Sequence, residues 1–269
     1  MIDLTPEHKM LHMQYDNLKK EFTELYTLKN EMLSQEEQVL TALYLTTVGQ
    51  KQHQKYCLTV EIKMILQRIS LYQAYFNRNE YPDTEAIEKK MEKQFAEYQK
   101  KIADEAKRIA LAKDFLKNGF LSDGDVKKIK EVYRLIVKKL HPDINPLVTE
   151  NEKDLFVKAQ AAYDLCDLAS LEAILLKLDL TETKTAVDPI DIKAQVATLG
   201  EHVSKLKNLI ASFEKQFPFT YRDKLADEVW IETENGKLDA DIETLTIEKK
   251  KYYEYILLLE EWKPSLLTP

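Results

Sequence analysis

His141 and Asp143, separated only by Pro142, put an imidazole and a carboxylate on one short stretch of chain, the pairing a general acid and base would use. A His-Pro-Asp loop without a cleft lined by further polar groups is poor material for catalysis, so no catalytic residue is assigned. His8 with His12, and His53 with Cys57, stand one helical turn apart, the spacing two metal ligands on a helix need. Third and fourth ligands are not apparent for either pair, and no metal site is assigned. The sequence holds no glycine-rich phosphate loop, no nucleophile elbow and no Cys-x-x-Cys pair, so neither nucleotide chemistry nor acyl transfer has a visible site and no cofactor is expected. The tyrosines, many on heptad seams, fit core packing better than base stacking.

The elements that would position this loop are legible on both sides of it. Ser122, Asp123 and Asp125 bring capping side chains and negative charge to a helix start, and Ile129, Val132/Tyr133, Ile136 and Leu140 follow as one apolar stripe. Off the stripe lie Lys127, Lys128, Lys130, Arg134, Lys138 and Lys139 against a single acid, Glu131, in a chain whose net charge is -7. That local reversal of sign suits docking on an acidic surface. Pro142 and Pro146 force the chain to turn. Thr149, with Glu150, Glu152 and Asp154 behind it, reads as the capped start of a second helix. Its face, Leu155/Phe156, Ala159, Ala162/Tyr163 and Cys166, suits packing on the first helix, and the two alanines permit close approach of the backbones.

A basic amphipathic helix, a His141-Pro142-Asp143 loop followed by Asn145-Pro146, and a helix bearing Phe156, Ala159, Ala162 and Tyr163 together resemble the J-domain of DnaJ-like co-chaperones. The Tyr-basic pair that J-domains carry eight residues before the histidine is matched by Tyr133-Arg134. The resemblance covers roughly Ala106 to Leu178 and implies a site for a DnaK-type chaperone of the heat-shock 70-kilodalton class, whose ATP hydrolysis it would stimulate. By that implication Asp143 engages a partner arginine, His141 and Pro142 shape the loop, and Arg134, Lys138, Lys139, Lys130 and Lys127 supply attraction. Tyr133, Ile136, Leu140, Phe156, Ala162 and Tyr163 would form the framework. The pattern departs from the family at Leu135, where many members carry a second basic group. The usual aspartate-tyrosine-tyrosine opening of the first helix is also missing, and Ile109 to Phe120 is expected to replace it. Ser170 to Leu178 supplies a leucine-rich helix in place of the usual basic ending. Nothing resembling a glycine-phenylalanine linker, a zinc-binding repeat region or a β-rich client domain follows.

Heptads dominate the remainder. Ile192, Val196, Leu199, Val203, Leu206, Ile210, Phe213 and Phe217 alternate steps of four and three, and Leu238, Ile242, Leu245, Tyr252, Ile256 and Leu259 continue the pattern with Lys249 as the interruption. These two runs are expected to form an antiparallel hairpin joined through Phe217-Pro218 and the segment around Asn235-Gly236. Leu11, Tyr15, Leu18, Phe22, Leu25 and Met32, interrupted at Lys29, are expected to pair with Leu58, Ile62, Ile65, Ile69, Tyr72 and Phe76 in the same way. Gly49 to Lys55 is a polar interval between them, and Tyr221 to Glu232 is either a separate helix or part of the last. A helix from Thr84 to about Leu116 leads toward the loop.

The expected organisation is a coiled-coil arm over 1–80, a connecting helix over 81–121 whose end replaces the first J-helix, a J-domain-like segment over 122–180, a linker over 181–188 and a coiled-coil hairpin over 189–269. The fold class is all-α: a J-domain-like helical hairpin with its HPD loop, flanked by long antiparallel coiled-coil helices. Five glycines and eight prolines in 269 residues agree with helix over turn-dense sheet. Mixed charge, at 32% of residues, suits long exposed helices, and the negative balance disfavours nucleic acid and anionic membrane as partners. Two cysteines, each on an expected helix, fit reduced thiols. Met1 to Leu11 carries Asp3, Glu7 and Lys9 without an apolar core, and no stretch approaches a membrane span, so a cytoplasmic protein is expected. The functional expectation is a non-enzymatic co-chaperone whose arms bind or position an unidentified client protein. The rival is a coiled-coil scaffold whose J-like fold no longer activates an ATPase; an enzyme built on the His141 loop is the least supported reading. Heptad seams can close within one chain or between copies, which leaves a homo-oligomer open.

Overall fold

The computed structural model describes residues 6–118, 122–180 and 192–261. These form α1 (Pro6–Glu31), a π-helical turn (Met32–Glu36), α2 (Glu37–Tyr44), a second π-helical turn (Leu45–Gly49), α3 (Gln50–Phe76), α4 (Thr84–Lys117) and α5 (Asp123–Leu140). Then follow α6 (Glu150–Asp164), α7 (Leu168–Leu180), α8 (Ile192–Phe213), a 3-10 turn (Phe219–Tyr221), α9 (Arg222–Ala226) and α10 (Glu228–Glu260). The fold is all-α, with no strand among the described residues and no described helix long and apolar enough to cross a membrane. The linker expected at 181–188 and the residue Phe120 lie outside the described residues.

Side-chain caps start several of the helices, α5 and α6 among them at the positions the sequence indicates. Ser122 Oγ accepts from the Asp125 amide at 3.2 Å. Thr149 and Glu152 form a reciprocal capping box, with the Thr149 amide donating to Glu152 Oε2 at 2.7 Å. Asp83 accepts from the Ala86 amide at 3.0 Å to open α4, and Asp227 accepts from Val229 and Trp230 to open α10. Tyr221 to Glu232 is therefore split, a short helix ending before the Asp227 cap. Gly49 closes the second π-helical turn and α3 runs on without a break, while Cys166, expected on the α6 face, lies past the end of α6 with φ 54°.

The chain divides into two compact units, Met1–Leu40 with Gly119–Thr220 and Thr41–Asn118 with Tyr221–Pro269. Each arm expected at 1–80 and at 189–269 is thereby shared between units. In the first unit α5, α6 and α7 pack around Tyr133, Ile136, Leu140, Ala159, Tyr163 and Leu171, and α1 and α8 join the same core through Phe22, Tyr26 and Leu199. The Tyr133 and Tyr163 rings stack with centroids 4.1 Å apart. Asn30 and Glu31 meet Tyr133 and Lys130, and Tyr26 meets His141, so α1 runs antiparallel to α5. The helix expected to stand in for the first J-helix does not lie here. Ile109 and Ala112 of α4 pack on Ala42 and Leu45 in the second unit, and α1, from the far N-terminal side of the sequence, covers α5 instead.

The second unit is built on α3, α4 and α10. After the turn at Asn79, whose φ of 55° is one asparagine tolerates, α4 returns antiparallel to α3, with Arg68 paired to Glu88 near the turn. Val60, Ile69, Tyr72, Ile87, Met91, Phe95 and Ile256 form its main core. The heptad runs do not pair as expected: α8 packs on α1, and α10 on α3. Asn235-Gly236, expected as a turn, lies inside α10. The α3–α10 pair is also parallel, because Lys51 meets Asp239, Lys55 meets Asp241 and Glu61 meets Lys249, numbers rising together. A heptad seam specifies an apolar stripe and leaves the partner to flanking charges. Opposite signs line up between α3 and α10 here, and between Lys207 of α8 and Glu21 of α1.

Candidate functional site

The bend after α5 is stapled from within. His141 ends the helix with extended backbone, its amide donating to Val137 O at 2.9 Å, and its carbonyl then accepts from Ile144 N and Asn145 N at 3.2 and 3.0 Å. Asn145 Nδ2 donates to Lys138 O at 2.7 Å, satisfying one of the last carbonyls of α5. The Asp143 amide donates to His141 Nδ1 at 3.1 Å, which fixes that nitrogen as the acceptor and leaves the ring proton on Nε2. Ile144, fully buried, anchors the turn to the core. With Pro142 fixing its own φ, little freedom remains in the loop.

The imidazole of His141 faces inward. It lies edge-on to Tyr26, Phe22 and Phe156, with centroids at 4.4, 4.8 and 5.1 Å. Burial pushes its pKa down to about 4; Asp143 opposes that shift, and the nearby Lys29 and His202 add to it. The ring is therefore a neutral structural wedge at ordinary pH, and the acid–base pairing that the sequence allows is not set up. Asp143 points the other way. Its carboxylate Oδ2 lies 3.1 Å from His202 Nδ1 of α8, at ion-pair range without an aligned hydrogen bond. Pro142 and Asp143 are both exposed.

The basic face of α5 is partly spoken for. Lys130 is paired with Glu31 of α1 and Lys139 with Asp179 of α7, whereas Lys127, Lys128, Arg134 and Lys138 are exposed. Exposed Leu135 interrupts the positive surface beside Arg134. Tyr133, Ile136, Leu140, Phe156, Ala162 and Tyr163 are all buried in the core of the first unit. Tyr133 accepts a hydrogen bond from Asn30 Nδ2 at 2.8 Å, and burial raises both its hydroxyl pKa and that of Tyr163.

Residues that the sequence did not connect to the loop complete its surroundings. Phe22, Tyr26 and Lys29 come from α1 and His202 from α8, while Glu31 of α1 meets Lys130 further up α5. Tyr15 and Phe22 belong to the expected heptad run, and Tyr26, four residues after Phe22, shares their face. His202 sits directly before the seam residue Val203, so its position beside a heptad stripe was the available signal. Elsewhere, His8 and His12 lie with ring centroids 4.7 Å apart and His53 Nε2 lies 3.6 Å from Cys57 Sγ. Among the described residues no group of three His, Cys, Asp or Glu side chains is arranged to hold a metal. In the second unit a shallow cleft between α3 and α4 is lined by Tyr44, Gln52, His53, Tyr56, Lys101 and Glu105. Burial pushes Tyr44 up to about 12, and its hydroxyl donates to Gln52 at 2.7 Å, so that phenol is a packed donor, not a base. No protein-family model, no curated protein and no solved structure matches the chain.

Proposed function

We propose that the chain is a cytoplasmic co-chaperone whose 122–180 segment is a J-like unit. It docks on a DnaK-type ATPase and stimulates its ATP hydrolysis, while the helical arms bind or position a client protein. The observation that carries the reading is the split character of the bend: His141 and Ile144 are locked into the core while Pro142 and Asp143 face outward at the tip of a helix that still exposes Lys127, Lys128, Arg134 and Lys138. A carboxylate presented from a loop with little conformational freedom loses little entropy on binding a partner arginine, and the cations speed encounter with an acidic surface. The buried, neutral His141 suits a residue that shapes the loop. Tyr253 and Leu257, exposed one turn apart on α10, supply an apolar surface suited to a client.

The test is steady-state ATP turnover by the DnaK-type protein of the same cell. Wild-type chain is expected to raise turnover, and Asp143→Asn to abolish most of the increase without unfolding the chain. Equal turnover with and without wild type would remove the reading. One set of contacts favours a second reading, an architectural scaffold that no longer activates an ATPase: Asp143, Lys130 and Lys139, three expected docking groups, already face His202, Glu31 and Asp179. Absence of stimulation by a folded wild-type chain is the outcome that reading requires.

A further inference from the structure

We infer that His202 is an internal competitor for Asp143, an autoinhibitory contact that the cation of a docking partner must displace; this rests on the co-chaperone reading above. The backbone of α8 is held beside the bend by Leu199 and Val203, three residues before and one after His202, which are 1% and 3% exposed. Lys207, paired with Glu21 at 2.5 Å, adds a charged contact between α8 and α1. The histidine side chain is thus tethered at high effective concentration next to a single carboxylate. Its grip is weak. The two side chains are 30% and 37% exposed, and the nitrogen approaches the carboxylate without the alignment of a hydrogen bond. A guanidinium can pair with the same carboxylate through two parallel N–H donors, a geometry an imidazole cannot reproduce. Displacement then needs only a turn of the His202 side chain into water. The seam of Leu199 and Val203 stays closed, so α8 remains seated while Asp143 changes partners.

The contact predicts opposite responses to two substitutions at one position. His202→Ala removes the competitor, and His202→Arg replaces it with a group that is always charged. In the ATP-turnover assay with the DnaK-type protein, at fixed pH and salt, His202→Ala is expected to lower the half-stimulating concentration by about threefold and His202→Arg to raise it by a similar factor. His202→Gln, closer in volume to histidine, should follow alanine and guards against a packing defect in that variant. A merely structural role for His202 would move every variant in the same direction, toward weaker stimulation. That pattern, or three variants indistinguishable from an active wild type, overturns the inference and leaves the docking reading intact. A wild-type chain that is silent while His202→Ala stimulates supports it in its strongest form. Silence from wild type and from every His202 variant, with Asp143→Asn no different, overturns the docking reading and the inference with it.

Discussion

In the first unit α1 lies against both α8 and α5, and the space among the five helices is filled by Tyr133, Tyr163, Phe22, Ile136, Leu140 and Ile144 with almost no exposure. In the second unit α3 lies along α10 and α4, and the most buried side chains there, Val48, Val60, Ile87 and Met91, are all aliphatic. The charges differ as well. Between α3 and α10 three Lys–carboxylate pairs flank a modest seam, whereas in the first unit Lys139 with Asp179 and His202 with Asp143 flank one bend. The same apolar spacing serves two purposes. Aromatic bulk packs behind one loop in the first unit, and in the second, ion pairs line two long parallel helices.

The most direct way to break this comparison is to cut the two cores by matched amounts. Ile136→Ala, fully buried in the first unit, should cost about 3 to 5 kcal/mol, and Ile69→Ala, at 6% exposure in the second, nearer 2 kcal/mol. Denaturant titrations followed by tyrosine fluorescence would read both. Equal losses would mean that the second unit is packed as tightly as the first.

His141 sharpens the contrast through pH. Its folded pKa is depressed to about 4 from an ordinary 6.5, chiefly by burial, so the unfolded chain takes up a proton first as pH falls. The stability associated with the neutral ring is complete above about 6.5, declines between there and about 4, and then levels off, with a total swing of up to about 3 kcal/mol. His141→Gln, which keeps a polar acceptor but has no such titration, should flatten this part of the pH profile. An unchanged slope between pH 6.5 and 4 in the variant would show that carboxylates elsewhere account for it.

How much of this was readable beforehand follows from the range of each interaction. The stripe Ile129, Tyr133, Ile136 and Leu140, the Ser122 cap, the Thr149–Glu152 box and the start of α4 at Thr84 all depend on residues within a turn or two of one another, and each lies where its spacing indicates. The choice of partner helix is not local. Nothing near Ile109 reveals that α1 packs on α5, because the contacts that join them, Asn30 with Tyr133 and Glu31 with Lys130, span 103 and 99 residues. The pairing of α3 with α10 is equally non-local: its ion pairs join residues almost two hundred positions apart, Lys51 with Asp239 being one example. The inward face of His141 was hidden for the same reason, since the rings of Phe22 and Tyr26 reach it from α1.

Those long-range charges give the smallest and most specific test of the comparison. Lys51→Glu with Lys55→Glu sets like charges against Asp239 and Asp241 and should destabilise the second unit by about 1 kcal/mol at low salt, because both pairs are partly exposed and screened by water. The deficit should shrink as salt rises toward a Debye length of about 3 Å near 1 M. Pairing the reversal with Asp239→Lys and Asp241→Lys should restore most of the loss, since the parallel register brings the new opposite charges together again. If charge chooses the partner of α3, this double reversal recovers stability while core and caps are untouched. A deficit that persists in the fourfold variant would assign the register to the apolar seam of Val60, Ile69 and Ile256 alone, and the two units would then differ in packing density but not in how their helices find each other.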